Sequence, residues 1–119
     1  MHKTLLIIED QTISAHLIFN IVEKQYRVIY ARTLTDARTL LYKNAIDLIL
    51  LDNQLPDGIG IEYCKELKSY SHTKNIPVIM ITADTDEETE LAALEAGASD
   101  FIHKPPNRAI ALERIKKHL

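Results

Sequence analysis

Five short apolar runs constrain this chain more than anything else in it: TLLII at 4–8, RVIYA at 27–31, LILL at 48–51, PVIMI at 77–81 and FI at 101–102. Several are continuously apolar rather than alternating, as a strand must be when both its faces are covered. Between the runs, apolar residues take helical spacing. Ile13, Leu17 and Ile21 recur at four-residue steps after EDQT. Ala37, Leu40 and Leu41 follow TLTD, where Thr33 is placed to cap a helix with Asp36 three residues on. Ile61, Cys64 and Leu67 follow DGIG, and Leu112, Ile115 and Leu119 close the chain. Leu91 and Leu94 follow the acids of DTDEE, which suit a helix N-terminus, and Gly97 is placed to end that helix. Strand then helix, five times over, predicts right-handed crossovers: an α/β, doubly wound (βα)5 fold on a five-stranded parallel sheet. The 119 residues suit one domain over 1–119, and no linker, repeat or low-complexity segment interrupts them.

Composition narrows the function. A hydrophobic share of 46% supports a sizeable core, 26% charged residues predict solubility, and a net charge of -3 carries no basic stripe for nucleic acid. The most basic run, ERIKKH at 113–118, reads as the solvated end of a helix. One cysteine, Cys64, excludes an internal disulfide and fits a reducing compartment. The apolar stretch of MHKTLLIIED is too short for a signal peptide, and no run approaches the ~20 residues of a membrane span. The expectation is a cytoplasmic protein with neither nucleic-acid nor membrane partner.

Open sheets of this type bind ligands at the carboxyl ends of their strands. Glu9 and Asp10 follow the first run, Asp52 the third, Thr82 the fourth, and Lys104 lies just past the fifth. Three carboxylates in a small space repel unless their pKa values rise or a cation joins them. Oxygen ligands of this kind suit Mg²⁺, and a carboxylate left over can act as a nucleophile toward phosphorus. Lys104 and the Thr82 hydroxyl are then suited to the charge on a phosphoryl group in transfer.

Four segments in order, LLIIED at 5–10, DLILLDNQLPDGIG at 47–60, PVIMITA at 77–83 and EAGASDFIHKPP at 95–106, resemble the receiver domain of two-component response regulators over essentially the whole chain. The resemblance implies the flavodoxin-like strand order 2-1-3-4-5. It implies that Asp52 is the phosphoacceptor and that Mg²⁺ is held by Glu9, Asp10, Asp52 and the backbone carbonyl of Gln54. Thr82 and Lys104 match the positions that contact the phosphoryl group, and Thr82 and Phe101 match the switch pair. The Lys104–Pro105 bond is expected to be cis. The implied partners are a sensor histidine kinase or a histidine phosphotransfer protein. An output domain or homodimer would use the face made by the fourth helix, fifth strand and fifth helix. Such a chain is a phosphoacceptor rather than an enzyme in the usual sense, catalysing only its own phosphorylation and dephosphorylation.

The departures are small. Glu9 stands where many members have Asp, and Pro106 stands where an apolar residue is frequent, though a proline suits the first turn of a helix. Gln54 and Asp84, two residues after Asp52 and Thr82, flank the path of an attacking water. Taken singly, Asp52, Asp10 and Thr82 also read as caps, Lys104 as a surface lysine and Phe101 as core. The histidines at 2, 16, 72, 103 and 118 lack metal-ligand spacing and read as surface residues, and Cys64 as core. Gly58 and Gly60 hint at a dinucleotide fingerprint, but Tyr63 occupies the third glycine position. Three functions compete: a phosphorylation-controlled switch, a pseudo-receiver binding without phosphorylation, and an aspartyl-phosphate hydrolase. Against the hydrolase, Gln54 stands where haloacid-dehalogenase-like phosphatases carry a second Asp. The acidic stretch Asp84, Asp86, Glu87, Glu88 and Glu90, facing a helix with Arg108, Arg114, Lys116 and Lys117, is unlike the basic fourth helix of regulators fused to winged-helix DNA-binding domains.

Overall fold

A computed structural model describes residues 2–84 and 86–119. In chain order the elements are β1 (Thr4–Ile8), α1 (Thr12–Val22), β2 (Arg27–Ala31), α2 (Leu34–Lys43), β3 (Leu48–Asp52), β4 (Gln54–Leu55), β5 (Gly58–Ile59), α3 (Gly60–Ser69), β6 (Val78–Thr82), α4 (Glu87–Glu95), β7 (Asp100–His103) and α5 (Arg108–Lys117). The main sheet is parallel in the order β2-β1-β3-β6-β7. Setting aside the two-residue antiparallel pair β4–β5, this is the expected 2-1-3-4-5.

Strand pleating divides each apolar run between two cores. Leu6, Ile8, Ile49, Leu51, Val78 and Met80 meet α2, α3 and α4, with Ala37, Cys64, Leu67 and Ala93 among the partners. Leu5, Ile7, Leu48, Leu50, Ile79 and Ile81 meet α1 and α5 through Ile18, Val22 and Ile115. This is why the runs show no alternation: every position is an inside position. The edge strand β2 is only partly covered, Ile29 packing against one core and Val28 against the other, and its pattern is correspondingly mixed.

Caps behave as the sequence suggests. The Thr33 hydroxyl accepts from the Asp36 amide at 3.0 Å, and Gly97 stops α4 with φ +100°. Two helical faces differ from expectation. On α1, Ala15, Ile18, Ile21 and Val22 are buried, whereas Ile13 is 78% and Leu17 44% exposed. On α4 the sheet is met by Ala93, and Leu91 and Leu94 are 57% and 49% exposed. Ala93 is the buried residue of α4, so the leucines two positions before it and one after it face away from the core. Leu119 lies past the end of α5 and is exposed, while Ala111 and Ile115 anchor that helix. Pro106 precedes the helix rather than opening it; the cap is Asn107, whose side chain accepts from the Ile110 amide. Among the described residues no helix is long and apolar enough to cross a membrane.

Candidate functional site

Each acidic side chain at the sheet's carboxyl edge is delivered by a strand end. Glu9 continues the β1–β2 ladder by one bond, its amide donating to the Ala31 carbonyl at 3.0 Å. Asp52 is the last residue of β3, in register with Ile81 of β6. The Lys104 amide donates to the Thr82 carbonyl at 2.8 Å, extending the β6–β7 pairing past His103, and the Lys104–Pro105 bond is cis. Lys104 Nζ donates to Glu9 Oε1 at 2.6 Å and to Asp52 Oδ1 at 3.0 Å, so one ammonium bridges two carboxylates from different strands.

Glycine is required where α3 begins. A Cβ on Gly60 would lie 2.3 Å from the Asp52 carbonyl oxygen and 2.8 Å from Asn53 Cα, both backbone atoms that cannot step aside. The Gly60 amide donates to the Asn53 carbonyl at 2.7 Å and the Ile61 amide to Asn53 Oδ1 at 3.1 Å. The turn after Asp52 is thus closed by its own backbone and by Asn53. Asp57 ties the same turn to α2, accepting from the Leu34 and Thr35 amides and the Thr35 hydroxyl. Those bonds, led by the Leu34 amide, hold its carboxyl below the usual range.

Glu9, Asp10 and Asp52 each offer an oxygen within 4.8 Å of the others. Glu9 Oε2 is buried and has no hydrogen-bond partner among the described residues. An unpartnered buried carboxylate oxygen facing two further acids fits an oxygen-seeking divalent cation, which would satisfy it. Without one, burial pushes the Glu9 carboxyl up from 4.5 to about 7, with Asp52 adding to the rise and Lys104 opposing it. The folded protein then holds a proton on Glu9 that the unfolded chain has lost between pH 4.5 and 7. The native state binds more protons in that window, so the contribution of Glu9 to stability is fully present below it and is lost as pH rises through it. In metal-free buffer the loss attributable to Glu9 is about 3 kcal/mol by the 1.36 kcal/mol equivalence of a pKa unit. Urea unfolding at about pH 5 and about pH 8 checks this against Glu9→Gln, whose profile should be flatter; parallel profiles would remove the assignment.

Thr82 and Phe101 share a small pocket with Met80, Ala93 and Glu90 beneath α4. The Thr82 hydroxyl accepts from the Asp84 amide at 3.0 Å, a turn bond rather than the helix cap the residue suggests when read alone, since Asp86 caps α4; its O–H proton has no acceptor among the described residues. Asp84 accepts from the Asp86 amide and the Thr89 hydroxyl, bonds that hold its carboxyl below the usual range. Gln54 is exposed and opens the β4–β5 pair.

Several contributors have no sequence signal of their own. Tyr30 and Arg32 donate to the backbone carbonyls of Glu9 and Asp10. Arg114 donates to the Phe101 carbonyl, and Arg108 to the carbonyls of Asn20 and Ile21 at the end of α1. Two histidines expected at the surface are half-buried and paired: His103 with Glu90 at 3.2 Å, and His118 with Asp100 at 3.1 Å.

The chain as a whole, and its 2-1-3-4-5 sheet, resembles known proteins. The family model for the response regulator receiver domain matches residues 5–116. The phosphate regulon transcriptional regulatory protein PhoB of Escherichia coli is 37% identical over 117 residues, covering 98% of this chain and 51% of that protein. The chain therefore spans about half the length of this relative. The signal receiver domain of a histidine kinase from Syntrophus aciditrophicus superposes with a TM-score of 0.89 at 31% identity, covering 98% of this chain and 89% of that one. The BeF3-activated DrrB receiver domain gives 0.88 at 29% identity, covering 99% and 97%. The chain belongs to the response regulator receiver domain family, the signalling class of two-component systems.

Proposed function

We propose that the chain is a phosphorylation-controlled switch that accepts a phosphoryl group on Asp52 from a phosphohistidine of a sensor histidine kinase or histidine phosphotransfer protein. The observation that supports this most directly is Lys104 Nζ bridging Glu9 Oε1 and Asp52 Oδ1 beside a third acid, Asp10. An Asp52 oxygen attacks phosphorus, the P–N bond breaks, and its electron pair leaves with the imidazole nitrogen. Lys104 Nζ, already on Asp52, meets the charge of the phosphoryl oxygens. Glu9, Asp10, Asp52 and the Gln54 carbonyl would hold Mg²⁺, which when bound supplies positive charge to those oxygens.

Once the group is on Asp52, the free O–H of Thr82 has an acceptor. Movement of Thr82 toward it changes the pocket it shares with Phe101 under α4. Arg114 of α5 is bonded to the Phe101 carbonyl, so strand β7 links α4 and α5. The phosphoryl group shifts the population only as far as it interacts better with one of the two arrangements. The exposed Leu91 and Leu94 of α4 give that face apolar surface for an output domain or second copy, and Ile13 and Leu17 give the histidine-bearing partner a foothold next to the acids. A cytoplasmic setting follows from this partnership.

Intact mass spectrometry after incubation with phosphoramidate tests the reading. The expected result is a gain of one phosphoryl group with Mg²⁺ and little without it. No gain under either condition would favour the pseudo-receiver, a binding module independent of phosphorylation.

A further inference from the structure

Two of the three acids of the candidate metal site, Glu9 and Asp10, sit where a sheet would normally stop holding its backbone. Strand β2 ends at Ala31, and Ala31 supplies the last ladder bond, to the Glu9 amide. The carbonyls of Glu9 and Asp10 lie beyond it, yet both are taken by side chains of the same edge strand and its continuation. The Tyr30 hydroxyl donates to the Glu9 carbonyl, and Arg32 Nη2 donates to the Asp10 carbonyl at 2.9 Å. Tyr30 and Arg32 are two residues apart, so in extended chain they project to one side and stand next to each other. Both line the groove of about 370 Å³ between α1 and β2.

Those two carbonyls belong to the peptide groups on either side of Asp10. Peptide planes are rigid, so holding both leaves the φ and ψ of Asp10 little freedom, and with them the direction in which its Cβ departs. The Asp10 carboxylate itself has no hydrogen bond among the described residues, so its aim rests on its backbone. Glu9 differs, because Lys104 holds its carboxylate directly. We propose that Tyr30 and Arg32 are positioning residues that clamp the peptide planes flanking Asp10 and so set the metal affinity of the Glu9–Asp10–Asp52 cluster. This rests on reading that cluster as a Mg²⁺ site. Outer contacts that orient ligands matter to metal binding even though they touch no metal.

The test is the Mg²⁺ dissociation constant by isothermal titration calorimetry, with the thermal midpoint in EDTA as the companion measurement. Tyr30→Phe removes one hydroxyl and keeps the ring; it should weaken Mg²⁺ about three- to tenfold, at or below the lower end of what loss of an outer contact costs. Arg32→Met keeps the stem and should weaken Mg²⁺ about twofold, because an exposed guanidinium bond contributes less. The double variant should bind at least as weakly as Tyr30→Phe, with the EDTA midpoint little changed. Val28→Thr, in the same groove but touching neither carbonyl, should match the parent. Parent-like affinity in the double variant overturns the proposal, as does a lowered midpoint with unchanged affinity. If Asp10→Asn abolishes binding while the double variant does not weaken it, only the positioning role falls. If the parent binds no Mg²⁺, the metal reading falls with it.

Discussion

Asp52→Asn is expected to abolish phosphoryl uptake completely while leaving the fold intact. The amide of asparagine is not a nucleophile toward phosphorus, because its nitrogen lone pair is delocalised and its oxygen carries no full charge. The rest of the site has reason to survive. Asparagine keeps an oxygen where Asp52 Oδ1 accepts from Lys104, and Lys104 retains Glu9 at 2.6 Å. Removing one of two buried carboxylates also removes the hydrogen bond and the like charge through which Asp52 raises the Glu9 carboxyl. The pH dependence of stability should therefore be shallower in the variant than in the parent. The check is the mass measurement with phosphoramidate and Mg²⁺, together with a thermal melt. Uptake at the parental rate would move the acceptor elsewhere in the chain.

Lys104→Met should carry the largest stability loss, about 3 kcal/mol at pH above 7, the low end of the cost of leaving a buried charge without its partner. In the parent, burial works against the Lys104 ammonium, but its bonds to Glu9 and Asp52 outweigh that and raise its pKa overall. With the ammonium gone, nothing opposes the burial and the Asp52 charge that push Glu9 up. The variant thus holds its Glu9 proton to higher pH than the parent, and its stability falls more steeply as pH rises. Near pH 5, where folded Glu9 is protonated in both proteins, the difference should narrow. Mg²⁺ should still bind, since the three acids remain, and should restore part of the loss. Urea unfolding at the two pH values, with and without Mg²⁺, reads all of this. A loss equal at both pH values and untouched by Mg²⁺ would show that Lys104 matters for volume rather than charge.

The resemblance to receiver domains and the strand-end rule drew on the same residues for different reasons. Glu9, Asp10, Asp52 and Lys104 were legible because each lies within two residues of the end of an apolar run, and a buried strand carries the residues just after it to the sheet edge. Thr82 was legible as a position but carries two roles, since its oxygen accepts from Asp84 while its proton stays available. Asp57 gave no signal of its own in the sequence, yet it staples the Asp52 turn to the start of α2.

By itself the sequence determined the α/β class, the five strands, the Thr33 cap, the Gly97 stop and the residues at the carboxyl edge. All of these depend on neighbours within a few positions, through period, caps and turns. Only the tertiary structure decided which side of α1 and α4 is covered. Helical spacing says which residues share a face, but the sheet chooses the face, and it took Ile18 and Ala93 over Ile13 and Leu91. The tertiary fold also brought Lys104 to two acids 95 and 52 residues away and set Tyr30 and Arg32 on the backbone of Glu9 and Asp10. Contacts of that range leave no period in the chain, because they exist only once strands far apart in sequence lie side by side.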